Sequence, residues 1–276
     1  MESVETEHTP TISILMPTYN GMSAKLPEAI ASVLAQSFAD WELLISDDGS
    51  TDETRAYLAD IKDPRIRVYC QPQNLGIFGN LNFLFGKACS PLSFILCQDD
   101  YFLTDGLAKV IAAWSPLPSE VGFIRFNWAE DGRTRCPLRR LAHQMLPRTI
   151  PTVDANLFFF IFGNLPGNLS NVSVRTALIR ATGCFREDIP YAGDYQFWVR
   201  LARLHSLHLS EEDVSYVRRH EQVASITLNR RGELIRQLDL ILDDLIANLT
   251  EDISPMMLRL YAHLAFDMQQ WNRAAL

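Results

Sequence analysis

Short apolar runs alternate with amphipathic stretches through the first half of the chain. Residues Thr11 to Met16 (TISILM) form an apolar run closed by Pro17 and Asn20-Gly21, which reads as a buried strand entering a turn. Leu26 to Gln36 has helical spacing, and Trp41 to Ser46 (WELLIS) is a second strand. Ser50-Thr51-Asp52-Glu53 matches a capping box and predicts a helix carrying Tyr57, Leu58 and Ile61. Ile66 to Cys70 is a third strand. A polar loop (QPQNLGIFGN) then leads into a helix through Leu81, Leu84 and Phe85. Ser93 to Cys97 is a fourth strand, Leu107 to Trp114 a helix and Val121 to Asn127 a fifth strand.

This alternation predicts an α/β fold with a mainly parallel central sheet flanked by helices. In such sheets ligands bind beyond the carboxyl ends of the strands. The second half is less regular. It holds a loop with Gly163, Pro166 and Gly167, a strand at Asn171 to Arg175, a helix after Asp194 and a strand at Val214 to Arg218. Phe197, Trp198 and Leu201 recur at helical spacing and read as core. The Phe158-Phe159-Phe160 cluster reads as core too, with a greasy acceptor groove near Gly163 to Asn168 as the alternative. Two amphipathic helices, about Glu233 to Leu249 and Pro255 to Trp271, close the chain. The organisation expected is one domain over 1–227, in two halves of about 11–127 and about 128–227, with a C-terminal helical extension over 228–276. That extension is where an oligomer contact would form.

Composition narrows the function. The 276 residues are 47% hydrophobic, enough for a full core. A formal net charge of -8 disfavours nucleic acid as a partner. The five cysteines are scattered, with no C-x-x-C pair, which argues against a disulfide framework or structural zinc and fits a reducing cytosol. The opening residues MESVETEHTP do not resemble a signal peptide. The apolar run from Leu157 to Phe162 is too short to span a bilayer. These features predict a cytoplasmic protein without a transmembrane segment.

Candidate chemistry sits at two strand ends. The second strand runs into Asp47-Asp48-Gly49-Ser50, and the fourth, after Gln98, into Asp99-Asp100. Adjacent carboxylates repel unless the site offers a cation or several donors. A diphosphate needs a hard divalent cation on oxygen ligands, and an Asp can accept from a ribose hydroxyl or a base N–H. Asp and Gly are also turn residues, and an Asp near Ser50 can simply cap a helix.

These residues, in this order, resemble family 2 of the glycosyltransferases, which have the GT-A fold. Pro17-Thr18-Tyr19-Asn20 is similar to its P-x-Y-N start, and Asp47 to Asp52 to its D-D-G-S-x-D segment. Asn74-Leu75-Gly76 is similar to its N-x-G loop, and Gln98-Asp99-Asp100 stands where the family places its D-x-D metal motif. Cys97 occupies the position of that motif's first Asp. Gly183-Cys184-Phe185, then Ala192-Gly193-Asp194 before an aromatic helix, resemble the non-processive bacterial-type subgroup. Arg218-Arg219-His220, with Gln222 and Ser225, resembles its R-x-H ending, and Q-x-x-R-W is missing.

The resemblance implies transfer of a single sugar with inversion, from a nucleoside-diphosphate sugar (UDP- or dTDP-sugar favoured) to a saccharide or lipid-linked saccharide in cell-surface polysaccharide synthesis. It implies that 1–227 is a catalytic domain with its nucleotide-binding half at about 11–127 and its acceptor half at about 128–227, that the inner face of the membrane is a place of action, and that Asp194 is the catalytic base. Pro17, Tyr19, Asn20, Asp47, Asp48, Asn74, Gly76, Gln98 and Asp99 become the nucleotide-sugar contacts, and Asp99, Asp100 and His220 the ligands of Mg²⁺ or Mn²⁺. A helix N-terminus favours a carboxylate, so Asp194 is expected to be ionised at neutral pH. The rival reading, suggested by Cys97, is a non-catalytic nucleotide-sugar-binding or scaffold protein on the same fold.

Overall fold

The computed structural model describes residues 8–129, 146–218 and 232–249. The first strand, β1 (Ile12–Thr18), and its neighbour β2 (Trp41–Asp47) are buried along their whole length. Continuous burial is what a parallel sheet covered on both faces requires, and it explains why both strands read as largely apolar runs without strict alternation. Between them lies α1 (Leu26–Leu34), whose Leu26, Ala29, Ile30 and Val33 form one buried stripe. Then follow α2 (Thr54–Ala59), β3 (Ile66–Cys70), α3 (Gly76–Lys87), β4 (Leu92–Ile95), the two-residue β5 (Tyr101–Phe102), α4 (Gly106–Trp114) and β6 (Val121–Ala129). The second half supplies β7 (Thr149–Ile150), α5 (Ala155–Phe162), β8 (Val172–Arg175), α6 (Thr176–Ala181), α7 (Gly193–Ala202), β9 (Ser206–Tyr216) and α8 (Glu233–Ala247).

All the strands join one sheet in the order β3-β2-β1-β4-β8-β6-β9-β5, with β7 also on β9. β1, β2, β3, β4, β6 and β9 run one way, and β5, β7 and β8 run against them. The sheet is therefore mainly parallel, as expected, but β8 enters between β4 and β6 in the opposite sense. Side chains alternate between two cores, as strand geometry demands. Leu15, Leu44, Ile95 and Phe123 face α3, α5, α7 and α8, whereas Ile14, Met16, Leu43, Ile45 and Phe94 face α1, α2 and α4.

Several local expectations change. Ser50 does not cap α2; its hydroxyl accepts from the Asn20 main-chain N–H at 2.8 Å, and Glu53 stands at the N-cap without a side-chain bond. The last strand begins at Ser206, well before the expected Val214, because its first half pairs with β6. The apolar run Leu157 to Phe162 is most of α5, with Phe159 and Phe160 buried, which favours the core reading of that cluster. The helix expected over Pro255 to Trp271 lies outside the described residues, as do His220, Gln222 and Ser225. No helix among the described residues is long and apolar enough to cross a membrane.

Candidate functional site

Parallel register brings the ends of β1, β2 and β3 level, with Thr18 opposite Asp47 and Asp47 opposite Cys70. Pro17 is buried within β1 opposite Ser46, while Tyr19 emerges beyond the edge and is exposed. Asn20 follows at φ 48°, a left-handed conformation that Asn tolerates. Its side-chain oxygen accepts from the Thr51 N–H at 2.9 Å, so it ties the β1 turn to the D-D-G-S turn.

The two acidic residues after β2 are held differently. Asp47 is fully buried; its carboxylate accepts from Arg55 Nε at 2.7 Å and from the Ser50 N–H. Arg55 also reaches the Gln71 carbonyl at 2.8 Å. Asp48 turns the other way and accepts from the Leu75 N–H at 2.7 Å. Burial pushes the Asp48 carboxyl above its ordinary pKa, against the lowering effect of the Leu75 and Gly76 N–H groups. The Asn74 side chain accepts from the Gly76 N–H at 3.0 Å, and Gly76 has φ +74°, where an L side chain would be strained. Thus the N-x-G loop folds onto the second Asp.

Gln98 spends its amide on the β1 turn. Its oxygen accepts from the Thr18 hydroxyl and from the Tyr19 N–H at 2.9 Å, and its nitrogen donates to the Tyr19 carbonyl at 3.1 Å. Beside it, the ligand atoms of Cys97, Asp99 and Asp100 all lie within 4.8 Å of one another. Asp100 is buried. Its carboxylate accepts from the Arg218 N–H at 2.9 Å and hydrogen-bonds to the Ser170 hydroxyl, which itself accepts from the Cys97 N–H at 2.8 Å. Burial and then the neighbouring Asp99 charge raise the Asp100 pKa to about 7. A second negative charge is thus poorly accommodated there, and a bound cation would relieve it. The donor set fits a divalent ion, with Asp99 as the less buried carboxylate and Cys97 as a softer neighbour.

Asp194 comes from the other half of the chain. It lies in the first turn of α7, two residues past the N-cap Ala192, and is not itself the cap. Its Oδ2 accepts from Asn164 Nδ2 at 2.9 Å. Burial raises its pKa above the ordinary carboxylate value, outweighing the Tyr195 N–H and Asn164, so the lowering expected from the helix N-terminus is overtaken by desolvation. The Cys97 thiol, driven up mainly by burial, is also raised by the charges of Asp100, Asp99 and Asp194. The Cys97 thiol therefore feels the charges of carboxylates from both halves of the chain. Arg55, Asn164 and Ser170 were not singled out from the sequence, because no local pattern marks a partner that arrives from a distant element.

The chain matches the family described as glycosyl transferase family 2 over residues 13–181. It is 32% identical over 201 residues to the uncharacterized protein y4gI of Sinorhizobium fredii, covering 70% of this chain but only 20% of that one. It is 25% identical over 237 residues, covering 86% and 87% of the two chains, to the Escherichia coli UDP-Glc:alpha-D-GlcNAc-diphosphoundecaprenol beta-1,3-glucosyltransferase WfgD. Among solved structures it superposes on S. aureus TarS 1-349 in complex with UDP-GlcNAc, with TM-score 0.66 and 18% identity over 91% of this chain and 70% of that one. It likewise superposes on the mannosyltransferase PcManGT of Pyrobaculum calidifontis in complex with GDP-Man and Mn²⁺, with TM-score 0.64 and 15% identity over 95% and 75%. The family match spans well over half of the chain, including the strand-edge carboxylates of β2 and β4, and the chain accordingly belongs to glycosyl transferase family 2, as a glycosyltransferase enzyme of GT-A fold.

Proposed function

We propose that this enzyme transfers a single sugar, with inversion, from a UDP- or dTDP-sugar to a saccharide or lipid-linked saccharide acceptor. The observation that carries the reading is the cluster of Cys97, Asp99 and Asp100 beyond β4, whose ligand atoms lie within 4.8 Å of one another. Displacement at an anomeric carbon uses such a cation-holding cluster together with a base, and Asp194, whose charge is felt at Cys97, would supply that base from a separate element. Asp194 takes the proton from the acceptor hydroxyl as it attacks C1. Asp99 holds Mg²⁺ or Mn²⁺, with His220 as a further ligand and Asp100 as a ligand or as the neighbour that orients the loop. When bound, the cation supplies positive charge to the departing diphosphate. Asp47 and Asp48, with Pro17, Tyr19, Asn20, Asn74, Gly76 and Gln98, shape the nucleoside pocket. Asp48 and Gln98 act there chiefly by fixing the loops they bind.

A lipid-linked acceptor is supported by the diphosphoundecaprenol-linked acceptor of the E. coli relative, and with it goes a proposed role in cell-surface polysaccharide synthesis at the cytoplasmic face of the membrane. The donor class is supported by that relative's UDP-Glc and by the UDP-GlcNAc complex of the S. aureus neighbour. Calorimetric titration with UDP, dTDP and GDP, each with and without Mn²⁺, tests the reading. One nucleotide is expected to bind with metal enhancement, and Asp99→Ala is expected to abolish that enhancement. Failure of all three nucleotides to bind under either condition would sink the assignment of this edge as a donor site.

A further inference from the structure

Three consecutive residues after Gln98 are gripped by one residue, Arg218, just past the end of β9. The Arg218 main-chain N–H donates to Asp100 Oδ1 at 2.9 Å, and its Nη1 donates to the Asp99 carbonyl at 2.9 Å. Its guanidinium carbon lies 4.9 Å from the centre of the Tyr101 ring, and that ring stacks on Tyr216 of β9 at 4.8 Å. The remaining arm, Nη2, pairs with Glu28 in the first turn of α1. The segment so held lies between the end of β4 at Ile95 and the two-residue β5, where the sheet ladder does little to fix a peptide.

We infer that Arg218 is a positioning residue for the cation site: it sets the direction of the Asp99 carboxylate by clamping the Asp99 carbonyl, the Asp100 carboxylate and the Tyr101 ring, while Glu28 balances its charge. This rests on the reading of Asp99 as the cation-holding residue. The planar guanidinium suits the task because it can donate to a carbonyl, pair with a carboxylate and stack on a ring at once. A lysine offers a single ammonium point and cannot span the same partners. Glu28 matters for a different reason. A guanidinium fixed beside a cation site would repel the cation, and the ion pair with Glu28 offsets that repulsion locally.

The test compares the full-length protein with Arg218→Ala, Arg218→Lys and Glu28→Gln, measuring calorimetric affinities for uridine and for UDP with and without Mn²⁺. Uridine reads the nucleoside pocket alone. In Arg218→Ala, uridine affinity is expected to stay within about twofold, while the Mn²⁺ enhancement of UDP binding falls about 10- to 100-fold, the usual effect of losing a partner that orients a ligand. Arg218→Lys should recover little of it. Glu28→Gln changes an exposed carboxylate and keeps the fold, and it should lower the enhancement in the same direction. Wild-type enhancement retained in both Arg218→Ala and Glu28→Gln overturns the inference, as does an equal loss of uridine affinity in Arg218→Ala, which would indicate a general structural role. If the wild type shows UDP binding without any Mn²⁺ enhancement, the reading of Asp99 itself fails, and that outcome is distinct from the first two.

Discussion

Asp194 illustrates how one side chain is tuned by opposing surroundings. Burial raises its pKa, while the Tyr195 N–H and the Asn164 amide favour the charged form. A base must be deprotonated to act, so kcat/KM is expected to fall as pH drops, with its acid limb above the ordinary carboxylate range. Asn164→Ala removes a donor to the carboxylate and should move that limb to still higher pH, which a pH–rate profile reads directly. Asp194→Asn should lower kcat by about 10² to 10⁴-fold while nucleotide affinity is retained. Parallel turnover and calorimetry would check this, and undiminished turnover would remove Asp194 from the role of base. Asp194 stood out in the sequence through the Ala192-Gly193-Asp194 segment before an aromatic helix. Asn164 did not, because it lies thirty residues earlier in a loop and only packing brings the amide to the carboxylate.

Among the elements, α7 and β9 anchor the second half of the chain. Phe197 and Trp198 of α7 are fully buried; Phe197 lies 4.2 Å from Phe185, and Trp198 stacks at 5.7 Å on Phe123 of β6. Their helical spacing read as core, and it is core. Trp198→Ala should destabilise the protein by about 3–5 kcal/mol in chemical denaturation, the range for emptying a large aromatic site. At the start of α4, a Cβ on Gly106 would come within 2.4 Å of the Val214 carbonyl of β9. Because backbone cannot swing aside as a side chain can, Gly106→Ala should cost about 1–3 kcal/mol. It should also disturb metal-enhanced nucleotide binding more than uridine binding, since β9 leads to Arg218. Equal uridine and UDP effects would break that link. Elements with a sustained period were legible from the sequence: β1, β2, β3, α1, α4 and α7 all form close to where the pattern put them. The two-residue strands β5 and β7 were not, because two residues carry no period. The reversed direction of β8 was not either, because a strand's apolar pattern is the same whichever way it runs.

For the whole molecule, the buried acids set a pH dependence of stability. Asp100 titrates near 7 in the folded state against an ordinary value of 3.8, so the folded protein binds the extra proton between those limits. Stability contributed by that proton is present at acid pH and lost as pH rises toward 7, with no further change above it. Raised values at Asp48 and Asp194 act in the same sense, whereas the lowered values of Asp40, Asp52 and Asp63 oppose it. The clean measurement is therefore a difference. Without metal, the Tm of the wild type relative to Asp100→Asn should decline between pH 5 and pH 7.5, and added Mn²⁺ should reduce the decline. An identical pH dependence in both proteins would contradict the assignment.

The sequence by itself determined the α/β class, the buried parallel strands of the first half and the strand-edge identity of Asp47, Asp48, Asp99 and Asp100. Each of these follows from local spacing, which the chain carries wherever it goes. Only the tertiary structure decided that Asp47 meets Arg55, that Asp48 holds the Asn74-Leu75-Gly76 loop, that Gln98 serves the β1 turn and that Asp194 meets Asn164. It alone gave Arg218 its hold on Asp99 and Asp100. The physical reason is one of range: periodicity and capping act over a few residues, whereas a pocket is made by side chains a hundred residues apart whose approach is fixed by sheet order and packing.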